Sequence, residues 1–431
     1  MQYVESLQSS LPNHFLSTSV FKVSVLATSL LCHSMALAND ASEIPHLPEP
    51  VTNNAAVLVH TDKDSHLISF MGLAQGKTWR DVHNKVWSLA LSSDRADEQN
   101  AQQWQARKAV PSSLPLSGRL ASVAVAVETE AFIFGGYTVA EDHTEISSPD
   151  NFAYSVMSDT YRRISPTPVP TDDAIALAYQ EKYIYLISGW HNDGNVNLVQ
   201  VYDVEEDTWQ QASPFLGKPV FGHAGGIVGR NIVVCDGVAV VPKTDARRTF
   251  AMETACYSGV INEQDPVKVD WRVITHPTAL GRYRMAASGV SANFNLNGNN
   301  TFIEGVLFVG GATNPYNYDG IGYNKQPSEP DNLAWLFDVN TQQWWTAPLS
   351  FTTMDHRALL LAPNSLINHE SVSEEGILSS DINKDDIQDA SQKGRENQSA
   401  IIIGGMGKKQ KVSAEIQQFS LSSLVFQPVD R

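Results

Sequence analysis

One short pattern recurs six times between residues 68 and 405 of this 431-residue chain. Each copy is an apolar run that ends in two glycines or a close variant, as in residues 132–136 and 307–311. The apolar run predicts a strand buried on both faces. The glycines predict that the backbone turns sharply out of this strand, at a position where a side chain would not fit. The other copies end at Gly72, Gly189, Gly237 and Gly405. This repetition predicts six similar units rather than several unrelated domains.

Two aromatic residues seven positions apart follow the glycines in four of the copies. These pairs are Tyr154 and Tyr161, Tyr202 and Trp209, Phe337 and Trp344, and Phe419 and Phe426. The spacing predicts that the two aromatics of a pair lie on two strands joined by a tight turn. A strand of small residues, such as residues 120–125, precedes the glycine-ended strand, so each unit has four strands. Four-stranded units repeated around an axis form a β-propeller.

The predicted fold is therefore an all-β propeller of six blades with four antiparallel strands in each. The blades span approximately residues 52–110, 111–168, 169–217, 218–278, 279–349 and 350–431. Within the last blade, residues 364–399 are polar and acidic, and this composition predicts a disordered insertion.

The overall charge excludes two classes of partner. The formal net charge is −17, from 30 basic and 47 acidic side chains. Nucleic-acid binding usually needs a basic face, and so does attachment to anionic lipid. We therefore expect neither nucleic acid nor a membrane surface as a partner.

The first residues read as an export signal. Lys22 precedes an apolar run, residues 23–31, and the run leads to the small-residue pattern that ends at Ala38. A membrane anchor is the alternative, but the run is shorter than the roughly 20 residues of a spanning helix. We predict cleavage between Ala38 and Asn39, a linker over residues 39–51, and a periplasmic or secreted chain without membrane insertion.

Two cysteines, Cys235 and Cys256, remain after this cleavage. An oxidising compartment permits a disulfide between them. The sequence places Cys235 at the end of its strand and Cys256 late in the next, so antiparallel pairing would separate them. We expect two free, buried thiols.

Aligning the units on their first strand puts one polar residue at each strand entrance. The set is Asn54, Arg119, Asp173, His223, Arg284 and Arg357. Three arginines around one axis repel one another, and Asp173 offsets one of them. The two remaining arginines suit an anion such as a sugar carboxylate, because a planar guanidinium can donate two parallel hydrogen bonds to a carboxylate. The alternative is structural, with the arginines donating to neighbouring loop carbonyls.

The loops after the glycines add aromatic and polar side chains at one end of the axis. Trp190 and His191 follow the third glycine pair, and residues 316–318 and Tyr323 follow the fifth. Such groups suit a sugar, although they can equally be packing lids. The predicted ligand-binding residues are Arg119, Asp173, Trp190, His191, Arg284 and Arg357. We find no metal or phosphate-loop motif and predict no cofactor and no metal site.

The double glycine and the spaced Tyr and Trp resemble the kelch repeat, over roughly residues 52–431. A six-bladed kelch chain with an export signal resembles the periplasmic N-acetylneuraminate epimerases, which are sialic acid mutarotases. The resemblance implies an acidic sugar in the central funnel and the interconversion of its anomers. It also implies a Glu where this chain has Val238, and an Arg where it has Lys243. Because valine transfers no proton, the catalytic candidates are His223, Asp236 and Lys243.

Two other functions stay open at this point. A kelch propeller can be a non-catalytic scaffold that binds a glycan or a protein, and fold alone does not decide. A looser resemblance connects the chain to the copper enzyme galactose oxidase. That enzyme needs a Tyr cross-linked to a Cys with histidine ligands, and we find no convincing set here.

Overall fold

The structure is a computed structural model that describes residues 44–91, 103–244, 249–367 and 397–429. The predicted export signal and most of the predicted acidic insertion lie outside these residues. The described ranges contain strands and four short 3-10 turns but no α-helix, and therefore no helix that could cross a bilayer. The turns are Trp79–Asp81, Asn364–Leu366, Lys408–Gln410 and Leu421–Ser423.

Six mainly antiparallel sheets follow one another along the chain, and the first three each supply one blade. Blade one contains β1 (Ala55–His60), β2 (Ser65–Leu73), β3 (Val82–Leu91) and β4 (Gln105–Arg107). Blade two contains β5 (Leu120–Val127), β6 (Glu130–Val139), the short β7 (Glu145–Ser147), β8 (Asn151–Ser155) and β9 (Thr160–Ile164). Blade three contains β10 (Ile175–Tyr179), β11 (Tyr183–Ile187), a small hairpin of β12 (Trp190–His191) and β13 (Gly194–Asn195), β14 (Val199–Asp203) and β15 (Thr208–Gln211).

The last three sheets repeat this plan, and the longest strands lie in blade five. Blade four contains β16 (Ala224–Val228), β17 (Asn231–Cys235), a hairpin of β18 (Val238–Val241) and β19 (Thr249–Met252), β20 (Cys256–Asn262) and β21 (Asp265–Ile274). Blade five contains β22 (Ala286–Leu296), β23 (Asn299–Val309), β24 (Asp331–Asp338) and β25 (Trp344–Thr353). Blade six contains β26 (Leu360–Pro363), β27 (Gln398–Ile403), a hairpin of β28 (Met406–Gly407) and β29 (Lys411–Val412), and β30 (Ile416–Ser420).

The last strand, β31 (Val425–Pro428), joins blade five instead of completing blade six. It pairs with β25 and with the outer end of β22. The predicted pairing of Phe419 with Phe426 is therefore wrong, because Phe426 packs on Phe294 with ring centroids 5.6 Å apart. The cause is the length of β22 and β25, eleven and ten residues, whose ends offer backbone groups to β31.

The other three aromatic pairs are confirmed as cross-strand neighbours. Tyr154 lies opposite Tyr161, with ring centroids 4.6 Å apart. The Tyr202–Trp209 and Phe337–Trp344 pairs are equally direct, at 5.1 and 4.8 Å. Facing aromatic pairs stabilise adjacent strands, which explains their recurrence in the repeat.

The double glycine of blade two meets a steric requirement in the middle of β6. Gly135 and Gly136 have φ angles of +58° and +83°, which are unfavourable for other residues. A Cβ on Gly135 would lie 2.0 Å from the Thr171 carbonyl oxygen, and one on Gly136 would lie 2.0 Å from Ser122 Oγ. Neither position has room for a side chain.

The described part of the predicted linker, residues 44–51, is packed into the fold. Ile44, Leu47 and Val51 are buried in one cluster with side chains of blades one and six. The Leu47 amide donates to Ala414 O and the Val51 amide donates to Ser413 O. This segment therefore contributes to the contact between the first and last blades.

Cys235 and Cys256 form a disulfide, so the prediction of two free thiols is wrong. Cys256 is the first residue of β20, and the antiparallel register places it directly opposite Cys235, the last residue of β17. The sequence interpretation placed the start of β20 too early. Both cysteines are fully buried within blade four.

Candidate functional site

Six residues with left-handed backbone mark the head of the innermost strand in each blade. They are Asn53, Ala121, Asp173, Gly222, Arg284 and Asp355. The predicted entrance set has the right residue at Asp173 and Arg284. The other four predicted residues lie one or two positions away from the left-handed residue of their blade; they are Asn54, Arg119, His223 and Arg357. The prediction missed because the residue type at this backbone position varies between blades.

Backbone hydrogen bonds connect these strand heads from blade to blade. The Asp173 amide donates to Ala121 O at 3.0 Å, and the Gly222 amide donates to Asp173 O at 2.9 Å. The Arg284 amide then donates to Gly222 O at 2.8 Å. Between blades six and one, the Arg357 guanidinium donates to Asn53 Oδ1 at 2.8 Å. The strand heads thus form a ring of contacts around the axis, here called the axial ring.

Side chains of the axial ring form a charge network across the axis. Arg284 Nη1 donates to Asp355 Oδ1 at 2.8 Å, and its Nε donates to Asp173 Oδ1 at 3.2 Å. Arg357 Nη2 lies 2.7 Å from the same Asp173 oxygen. The four side chains are at most 3% exposed. The guanidinium of Arg284 also lies over the ring of Tyr283.

This network contains two positive and two negative side chains. Burial alone would raise the pKa of Asp173, but Arg284 and Arg357 outweigh it and hold that pKa below its usual range. The expected excess of positive charge at the axis is therefore wrong. Asp355, which the sequence interpretation did not count, compensates the second arginine.

Arg119 lies within its own blade, so its predicted place in the axial set is wrong. Its Nη1 donates to the carbonyl oxygens of Gly135 and Asp150, at 3.0 and 3.1 Å. The side chain is fully buried, and this burial lowers its pKa to about 10. Arg119 therefore matches the structural alternative, donation to neighbouring loop carbonyls.

The axial ring separates two cavities. The lower cavity, about 300 Å³, is lined mainly by small and aliphatic residues of the six inner strands and by Arg357. The upper cavity, about 150 Å³, has Asp173 and Arg284 in its floor and is here called the upper pocket. Its other described lining residues are Tyr137, Glu145, Asp172, Trp190, Phe221, Phe250, Asn317, Tyr318 and Tyr323.

The connection between β23 and β24 supplies one wall of the upper pocket through Tyr318 and Tyr323. It is held to other blades at several points. Lys77 of blade one donates from Nζ to Asp319 O and to Gln410 O, both at 3.0 Å. Tyr318 Oη lies 3.3 Å from His143 Nδ1 of blade two. The connection therefore spans from blade five to blades one, two and six.

Asp172 is the most buried acid of the pocket wall. Its backbone amide donates to Trp190 O at 2.9 Å, and its backbone carbonyl oxygen accepts from the Trp190 amide at 2.8 Å. Ser147 Oγ donates to Asp172 Oδ2 at 2.6 Å. Burial, followed by the charges of Asp173 and Glu145, raises the pKa of Asp172 well above its usual range. This environment therefore favours the protonated form of the carboxyl group more than solvent would.

Three predicted site residues line the upper pocket, namely Asp173, Trp190 and Arg284. Arg357 lines the lower cavity. His191 lies beside the pocket, with Nδ1 2.6 Å from Pro170 O. Lys243 is an exposed residue beyond β18.

His223 and Asp236 are buried away from the described pocket lining. His223 Nε2 hydrogen-bonds Ile187 O at 2.9 Å, and burial lowers the His223 pKa to about 4. Asp236 accepts from the Arg282 amide and contacts His276 Nε2, both at 2.7 Å. Val238 is fully buried in the apolar cluster of Trp190 and Phe221. These side chains bond or pack against groups of the protein, and none of them is part of the described pocket lining.

Five pocket residues escaped the sequence interpretation: Tyr137, Glu145, Asp172, Phe221 and Phe250. A positional signal existed for three of them. Tyr137 directly follows a glycine pair, as Trp190 does, and Asp172 and Phe221 each precede the left-handed residue of their blade. Among the described residues, no group of three or more His, Cys, Asp or Glu side chains is placed to hold a metal ion.

Comparison with known proteins establishes the fold. No family model matches the sequence, and no curated protein matches it. The structure matches the solved structure of YjhT with a TM-score of 0.59 at 12% sequence identity, over 90% of this chain and 99% of that chain. The fold is a kelch-type β-propeller. At this identity the likeness concerns architecture alone, so the function of the propeller has to be argued from its own pocket.

Proposed function

We propose that this propeller binds one sugar ring in the upper pocket and interconverts its anomers. The observation that supports this is the pairing of aromatic walls with carboxyl groups in one recess. Aromatic faces such as those of Tyr318 and Tyr323 suit the apolar CH face of a sugar. Carboxyl oxygens beside them accept hydrogen bonds from hydroxyl groups that lose water on binding.

The volume of the upper pocket limits the ligand. Pockets for drug-sized molecules are roughly 300–1,000 Å³, whereas this one is about 150 Å³. A single sugar ring suits this space, and a longer glycan would extend from the mouth into solvent.

The charge of the pocket bears on the class of sugar. Its described lining contains three carboxyl groups, and its one described cation, Arg284, already binds two carboxylates. This favours a ring with hydroxyl groups at the floor of the pocket. An acidic sugar fits if its carboxylate faces the mouth, away from Asp172 and Asp173.

A panel of ligands tests the proposal. Glucose, glucuronic acid and N-acetylneuraminic acid are added separately to the purified protein, and Tm and the anomer exchange rate by NMR are measured. We expect at least one sugar to raise Tm, since saturation at about 100 times Kd stabilises by about 2.7 kcal/mol. The same sugar should exchange anomers faster than in buffer.

A matched pair of variants locates the binding. Tyr318→Ala removes a pocket wall and should weaken the sugar that binds by about tenfold or more, as expected for about 1.5–3 kcal/mol of buried contact. Tyr183→Ala, on β11 and outside the described pocket lining, should leave the affinity unchanged. If no sugar raises Tm, the alternative of a non-catalytic, protein-binding scaffold is favoured instead.

A further inference from the structure

Asp172 and Asp173 are neighbours in the chain, but their surroundings shift the pKa values of their carboxyl groups in opposite directions. Asp173 faces two guanidinium groups and stays ionised. Asp172 faces the pocket, where the nearby charges are those of Asp173, Glu145 and Arg284. Arg284 is directed at Asp173 and Asp355, so it compensates Asp172 only in part. Asp173 is thus engaged by guanidinium groups, whereas the environment of Asp172 suits the acid of an acid–base pair.

The position of Asp172 suits a proton donor. Its backbone is fixed by the two hydrogen bonds with Trp190, and its side chain belongs to the pocket wall. Within the described part of the chain, the carboxyl group of Asp172 accepts one hydrogen bond, which Ser147 donates to Oδ2. The Oδ1 atom therefore remains for a ligand. Buried acids that keep their proton can donate it to a reacting oxygen.

Glu145 provides the complementary group. It is exposed at the end of β7, two residues before Ser147, and it lines the same pocket as Asp172. Its charge acts on both Asp172 and the Tyr137 hydroxyl. A buried acid and a more exposed carboxylate that line the same pocket can give and take a proton at one small ligand.

We propose that Asp172 is the proton donor and Glu145 the proton acceptor for opening a sugar ring in the upper pocket. This rests on the proposed function. The bond between the anomeric carbon and the ring oxygen breaks, and Asp172 protonates the ring oxygen. The anomeric hydroxyl gives its proton to Glu145 as its oxygen becomes a carbonyl. Closure on the opposite face reverses both transfers, so protons and electrons balance and no further reactant is needed.

The test compares Asp172→Asn with the control Asp270→Asn, an exposed residue of β21. Anomer exchange by NMR and Kd by calorimetry are measured with whichever of glucose, glucuronic acid and N-acetylneuraminic acid binds. We expect Asp172→Asn to lower the exchange rate by about 10²-fold or more and to change Kd by less than about threefold. Glu145→Gln should lower the rate as well, and the control should match the wild type.

A second variant does not depend on how Asp172→Asn folds. The Ser147 hydrogen bond lowers the pKa of Asp172, so Ser147→Ala should raise that pKa. The alkaline limb of the pH–rate profile should then move to higher pH. Glu145, Asp173, Arg284 and Tyr137 face the same space and are unchanged in this variant.

The outcomes separate the two proposals. A wild-type exchange rate in Asp172→Asn, or an unmoved alkaline limb in Ser147→Ala, overturns the role of Asp172. Binding by the wild type without faster exchange overturns the proton transfer and leaves sugar binding standing. Failure of the wild type to bind any of the three sugars overturns both.

Discussion

Asp173 and Asp355, which head the inner strands of blades three and six, hold the same guanidinium, that of Arg284 in blade five. All three side chains are almost entirely buried. Contacts of this kind connect parts of the chain that are distant in sequence. The stability of the ring of blades should therefore depend on a few charged residues at its centre.

Replacing Arg284 should cost much of the stability of the protein. Arg284→Met leaves Asp173 and Asp355 with reduced compensation, and breaking a buried ion pair in this way typically costs about 3–5 kcal/mol. Urea unfolding followed by tryptophan fluorescence measures the free energy of unfolding. The control is Arg80→Met, whose ion pair with Glu141 is exposed and is worth about 1 kcal/mol or less. Equal effects of the two variants would contradict a stabilising axial network.

The disulfide should contribute measurably to stability. The Cys235→Ala, Cys256→Ala double variant removes a link between residues 21 positions apart, for which chain-entropy models predict about 3 kcal/mol. Mass spectrometry of unreduced protein should detect the linked peptide pair. A reductant should lower the Tm of the wild type and leave that of the double variant unchanged. Two free thiols in protein prepared under oxidising conditions would contradict the structure.

His223 should make the protein sensitive to acid. Its folded pKa is about 4, against 6.5 for the ordinary side chain, because burial disfavours the charged form. A folded-state pKa below the unfolded-state pKa stabilises the folded protein at pH values above the unfolded-state pKa. This stabilisation is lost as pH falls from about 6.5 to about 4. The loss is of the order of 3 kcal/mol. His223→Gln should flatten the pH dependence of the free energy of unfolding in this window, and an unchanged slope would assign the acid sensitivity to other groups.

Lys77 should hold the connection between β23 and β24 in place. Lys77→Met removes two hydrogen bonds, to Asp319 O and to Gln410 O. Hydrogen exchange followed by mass spectrometry should show faster exchange of peptides covering residues 316–328. The control is Lys85→Met, which removes an ion pair with Glu49 in blade one. Equal exchange of residues 316–328 in both variants would contradict an anchoring role for Lys77.

The sequence predicted the blades better than it predicted their centre. The glycine pairs and the aromatic pairs are fixed by local sterics and by cross-strand packing, so they repeat with little variation. The axial ring is fixed by a backbone conformation that Asn, Ala, Asp, Gly and Arg all adopt here. Aligning polar residue types therefore misplaced Arg119 and His223, and it missed Asp355.

The remaining errors have a similar origin in long-range pairing. β31 joins blade five because the strands there are long enough to receive it. Cys235 meets Cys256 because β20 begins later than the sequence suggested. Asp172 was missed because its raised pKa comes from burial beside Asp173 and Glu145, and such burial follows only from the assembled ring.

The charge network across the axis also decides how molecules reach the upper pocket. Because Asp173 and Arg284 form the floor of this pocket and Arg357 belongs to the cavity below, the pocket is a dead end rather than a passage. A molecule that enters at the mouth has to leave by the same opening. For the sugar proposed above, one ligand would therefore have to leave before the next could enter.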